Sequence, residues 1–77
     1  MFGFIMNYFY KINSNTITIE DIIYITYGIS YCENNRIIET ICDISFNKNK
    51  VEKLCDFLNN YNIPYVHFKD IVEDFLE

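Results

Sequence analysis

The stretch Ile22-Ile23-Tyr24-Ile25-Thr26-Tyr27-Gly28-Ile29-Ser30-Tyr31-Cys32 decides the fold. It is β-branched and aromatic almost throughout, and it sorts by period two, as side chains on a pleated strand do. Ile23, Ile25, Tyr27, Ile29 and Tyr31 fall on one face, which we read as the core face. Ile22, Tyr24, Thr26, Gly28, Ser30 and Cys32 fall on the other. On its C-terminal side Glu33-Asn34-Asn35 reads as a turn, and residues 36–46 alternate again. There Ile38, Thr40, Cys42, Ile44 and Phe46 oppose Ile37, Glu39, Ile41, Asp43 and Ser45, which predicts a hairpin. On its N-terminal side Glu20-Asp21 is a turn candidate, and so is Asn13-Ser14-Asn15. The first strand therefore covers residues 7–13, and Thr16 to Ile19 either extends it past a bulge or forms a short strand of its own.

The period changes at Asn47. Val51, Leu54, Cys55 and Leu58 stand at i, i+3, i+4 and i+7, the spacing of one helical face, which predicts a helix over residues 48–60. Asn47 can cap it, and Asn49 with Glu52 offers a second start. The run Asn59 to Asn62 ends it. After Ile63-Pro64, the residues Phe68, Ile71, Val72, Phe75 and Leu76 predict a second helix over residues 67–76. Helices this short are marginal alone in water, so both must pack on the sheet. The expected fold is α+β, a three- to four-stranded antiparallel meander followed by two C-terminal helices on one face. All 77 residues form a single domain: 1–6 a tail or strand lead-in, 7–46 the sheet and 47–77 the helices.

The chain carries 14 Ile and 10 Asn but no Ala, Gln or Trp, as AT-rich coding in a low-GC bacterium or its phage would give. Three cysteines, Cys32, Cys42 and Cys55, with no secretory leader expected, argue for a reducing cytoplasm rather than a disulfide framework. No run of about 18 apolar residues predicts a membrane span. Eleven acids against six Lys+Arg give a net charge of -5, which disfavours direct binding to nucleic acid or to a membrane surface.

Candidate chemistry is sparse. Cys55 and the single histidine, His67, form the one imaginable nucleophile and base, but no Gly-rich loop near them supplies an oxyanion hole or phosphate cradle. Cys32, Cys42, Cys55 and His67 are spaced C-x9-C-x12-C-x11-H, without the close pairs of a structural zinc site. We therefore expect no catalytic residue, no metal and no cofactor. The informative feature is the second helix, where Asp70, Glu73, Asp74 and Glu77 repeat at i, i+3, i+4 and i+7. Each like-charged neighbour pair costs about 0.2–0.5 kcal/mol, and acids at a helix C-terminus oppose its dipole. Such a stripe is either a solvated face or a docking surface for a basic partner. The outer sheet face, with Ile22, Tyr24, Ile37, Ile41 and Phe9, is a second candidate, to be covered by a homodimer mate, the N-terminal tail or another protein.

Several strings, Asn7-Tyr8-Phe9-Tyr10, Thr26-Tyr27-Gly28-Ile29, Asp43-Ile44-Ser45, Val51-Glu52-Lys53-Leu54 and His67 through Leu76, resemble a family of short uncharacterised proteins from Firmicutes, a domain of unknown function. The resemblance implies a cytoplasmic bacterial setting and the order of sheet then helices, and it transfers no site. The expected function is that of a non-enzymatic acidic module, which regulates or inhibits a larger protein with a basic surface through Asp70, Glu73, Asp74, Glu77, Ile22, Tyr24 and Ile41. The alternative is a phage or mobile-element inhibitor of a defence nuclease such as a CRISPR effector, acting by nucleic-acid charge mimicry.

Overall fold

A computed structural model describes residues 7–76. Three strands, β1 (Tyr8–Ile19), β2 (Ile22–Glu33) and β3 (Arg36–Ser45), form one antiparallel sheet in the order β1-β2-β3. Two helices follow, α1 (Lys48–Asn60) and α2 (Tyr65–Leu76). The fold is α+β, as the change of period at Asn47 predicts.

Both hairpins close through two-residue turns. Glu20 and Asp21, and Asn34 and Asn35, all lie at positive φ, the type I′ geometry whose twist matches that of the strands. The expected turn at Asn13-Ser14-Asn15 is absent. β1 instead runs unbroken and pairs residue for residue with β2, from Tyr8 opposite Glu33 to Ile19 opposite Ile22. Its polar middle is tolerated because Asn13 is cross-strand from Gly28 and donates to Ser30 Oγ at 3.1 Å, a partner a turn could not have supplied.

β3 is the irregular strand. Its register with β2 shifts between Tyr31 and Cys32 and again between Tyr27 and Ile29, where Asp43 takes a positive φ of 55°. The second irregularity carries β3 across Gly28. A Cβ at that position would overlap the carbonyl oxygen of Ile41 and lie 3.0 Å from Cα of Cys42. Gly28 is therefore required for space, not for an unusual φ.

The core lies between sheet and helices. Val51, Leu54, Cys55 and Leu58 of α1 and Phe68 and Val72 of α2 pack onto Tyr10, Ile29, Tyr31 and Ile44, with Ile71 and Phe75 partly buried beside them. At the end nearest the Asn34-Asn35 turn the rings of Tyr10 and Phe68 lie 4.9 Å apart and those of Tyr10 and Tyr31 5.2 Å, within the range of favourable aromatic pairs. Asn47 caps α1, its Oδ1 accepting from Lys50 N at 3.2 Å. α1 ends where Asn62 turns to φ 48° and Ile63 N donates back to Leu58 O. α2 begins at Tyr65, two residues before the expected start, because Pro64 sets the first turn and its carbonyl accepts from His67 N.

Candidate docking surfaces

β3 ends opposite Tyr27, whereas β1 and β2 continue to the Glu20-Asp21 turn. Among the described residues, Ile22 to Thr26 of β2 therefore pair with β1 alone, as a two-stranded arm. It contributes to a molecule of 59 × 24 × 17 Å. The helices do not reach it, so Ile23 and Ile25, expected in the core, are 71% and 50% exposed. Ile22 is 54% exposed on the other side, with Ile19, Tyr24 and Phe46 also exposed; the Tyr24 and Phe46 rings meet edge to face at 5.9 Å. An isolated two-stranded ribbon is marginal in water, and this one displays large apolar groups on both faces.

The two edges of the arm differ. In a two-residue hairpin the flanking residues bond each other, so in β1 the even-numbered residues present N–H and C=O outwards. That edge is covered at Tyr10, both of whose outward groups bond Asn59, and the stretch beyond carries Ile12, Ser14, Thr16 and Thr18. On β2 the odd-numbered residues point towards β3, and past Tyr27 those are Ile23 and Ile25, with no charge between them. A strand central in the body has become an apolar edge.

The outer sheet face is not the continuous apolar surface expected from alternation. Its middle is a polar belt in which Asn13, Ser30 and Thr40 hydrogen-bond in series and the Thr26 hydroxyl donates to Asp43. Ile22 and Tyr24 lie on one side of the belt, Phe9 and Ile37 on the other, all exposed. Ile41 does not belong to this face. The bulged register turns it towards the helices, where it is partly buried against the core, so strict alternation misplaced it.

On α2, Asp70, Glu73 and Asp74 are exposed, while Phe68 and Val72 face the core. Glu77, the last member of the expected stripe, lies outside the described residues. Lys50 and Lys53 of α1 line a shallow depression with Phe75 and Leu76, which places cations beside the last turn of α2. Three other acids serve the body of the fold: Glu33 accepts from Tyr31 Oη at 2.6 Å, Glu39 from the Tyr65 hydroxyl and Asp43 from Thr26.

Cys55 is buried and burial, with a smaller contribution from Asp56, pushes its thiol up to about 11, away from the thiolate a nucleophile needs. His67 is exposed at the start of α2. Among the described residues no three of His, Cys, Asp and Glu approach closely enough to hold a metal ion, and no helix is long and apolar enough to cross a membrane.

Alternation and spacing missed the arm, and the signal for it was faint. Ile22 to Ile25 is apolar on both faces, as a strand covered on both sides would be. Only the two irregularities in β3 show that its C-terminal end stops short of them. Residues 3–77 match the model of a family of unknown function, whereas no curated protein and no solved structure matches the chain.

Proposed function

Because the chain belongs to that family, DUF6514, a membership that brings no activity with it, we propose a function from its own surfaces: a non-enzymatic, cytoplasmic protein-binding module of bacterial or phage origin that regulates or inhibits a larger partner. The observation that carries this reading is the projecting arm, whose Ile19, Ile22 and Tyr24, joined by Phe46, offer apolar contact where the body has no use for it. Exposed Asp70, Glu73 and Asp74 add a face suited to a basic surface.

The test is capture by the immobilised chain from a lysate of its source, with partners identified by mass. One protein held by the wild type and lost both with Ile22→Ser/Tyr24→Ser and with Asp70→Asn/Glu73→Gln/Asp74→Asn supports the reading. Capture that neither set alters removes both surfaces.

A further inference from the structure

The helix layer stops where the arm begins. α1 starts at Lys48, which lines a depression with Ile12, Ser14 and Tyr27 at the base of the arm, and beyond Tyr27 no described residue covers the helix-side face. That face is a shelf, with Ile23 and Ile25 in one row and their cross-strand neighbours Thr18 and Thr16 in the other, all exposed. We infer that a second copy of this chain fills the shelf: the two arms stack face to face about a two-fold axis that crosses them near Tyr24, each running towards the base of the other. This deepens the protein-binding reading and rests on it, naming the occupant of one face and leaving Ile22, Tyr24, Phe46 and α2 to a larger partner.

Stacking leaves both edges of the arm as they are. Ser45 keeps its rung with Tyr27, and Phe46 stays against Tyr24, which belongs to the opposite face, so no backbone bond of either copy changes. The depth fits, because stacked sheets lie about 10 Å apart and a helix is about 10 Å across. The second arm thus continues the layer in which α1 lies. A two-fold axis across the arm sets like strand over like strand. Ile23 of one copy then meets Ile25 of the other and Thr16 meets Thr18, so apolar side chains cover apolar ones while hydroxyls face hydroxyls.

Charge complementarity argues for a copy over another chain. The stretch from Asp21 to Tyr27 spans roughly 20 Å, so each tip reaches the start of α1 in the other copy. There Lys48 and Lys50 are exposed, and the first turn of α1 holds no acid, although its dipole favours one. The acids of α1, Glu52 and Asp56, come later in the helix and line a separate depression with Ile12 and Cys55. The tip supplies what the helix start lacks, Glu20 and Asp21, both exposed, at φ 51° and 65°. Asn34-Asn35 fills the same type I′ geometry with the residue type that tolerates positive φ better, so the turn itself does not call for a glutamate. The stacked area is small beside the about 800 Å² per partner of a stable interface, so association is expected to be concentration dependent.

Sedimentation equilibrium of the full chain reads the mass. The wild type is expected to move from 9.3 kDa towards twice that value as its concentration approaches about 1 mM. Ile23→Thr with Ile25→Thr keeps β-branched strand residues and every backbone group of the edge, and is expected to abolish the shift because the apolar stack is lost. Ile22→Ser, on the opposite face, is expected to leave it. Glu20→Asn with Asp21→Asn keeps the turn and is expected to weaken association about tenfold, as is Lys48→Gln with Lys50→Gln. Amide spectra confirm that each variant is folded, and on dilution of the wild type the amides of residues 16–25 and 48–50 are expected to shift. A mass of 9.3 kDa throughout overturns the inference. So does a dimer that survives Ile23→Thr/Ile25→Thr, is lost with Ile22→Ser, or is indifferent to the tip acids and to Lys48 and Lys50. A wild type that stays monomeric yet holds a partner through Ile22 and Tyr24 sinks the second copy and leaves the protein-binding reading intact.

Discussion

The side-chain amide of Asn59 holds both backbone groups of Tyr10: Oδ1 accepts from Tyr10 N at 2.7 Å and Nδ2 donates to Tyr10 O at 2.8 Å. A residue near the end of α1 thus stands in for the next strand at the edge of β1. It ties helix to sheet and covers that edge of the body at Tyr10.

Replacing Asn59 with Ala should therefore cost about 1–3 kcal/mol, since two partly buried backbone groups lose their partners. Asn59→Asp keeps the acceptor but sets a carboxylate against the Tyr10 carbonyl, so it should recover little. Urea unfolding measures the loss, and hydrogen exchange should show the Tyr10 amide opening first.

Gly28→Ala should destabilise the fold by at least about 1–3 kcal/mol, because the added methyl meets the β3 backbone at Ile41 and Cys42 and neither can retreat without breaking the bulge. The melting temperature measures it. Serine at this position should do no better, since its Cβ meets the same atoms.

Alkaline pH should unfold the protein through its buried tyrosines. Burial, with a smaller effect of Tyr8, pushes Tyr10 from 10.0 up to about 12, and its hydroxyl donates to Ile63 O at 2.6 Å. Tyr31 is raised further, first by burial and then by its bond to Glu33. Between pH 10 and about 12 the folded chain holds protons that the unfolded chain has released. The tyrosines' contribution to stability should be level below pH 10 and fall as pH rises through that window. Urea midpoints across the range measure the fall, and Tyr10→Phe should make it shallower while lowering stability at neutral pH by about 1 kcal/mol for the lost bond to Ile63.

The three thiols should react at well separated rates. Cys42 is exposed, whereas Cys32 and Cys55 are buried and Cys55 is also held protonated by its surroundings. An aromatic disulfide reagent should titrate one thiol quickly in the native protein and all three in denaturant, and Cys42→Ser should remove the fast phase.

Periodicity was a sound guide wherever a local rule decided the outcome. The helical face Val51, Leu54, Cys55 and Leu58 is the set that α1 buries, and Asn47 caps it. On α2 the same spacing identified Phe68 and Val72, while Leu76 at the helix end stays exposed. The turns at Glu20-Asp21 and Asn34-Asn35 fall where short polar residues interrupt apolar runs. Alternation failed at β3, because a strand that slips by one residue moves its side chains to the other face, and Ile41 moved with it. It failed again at Asn13 to Asn15, where polar residues lie inside a strand with partners waiting on β2.

The sequence alone therefore determined the order of sheet then helices, both tight turns and the helical faces, since each depends on spacing within one segment. Only the tertiary structure decided how far β3 runs along β2, and with it whether Ile23 and Ile25 lie in a core or on an open arm. That depends on bulges, on the room Gly28 leaves for a crossing backbone and on the reach of two helices. Contacts between segments distant in the chain set all three, and no local period records them.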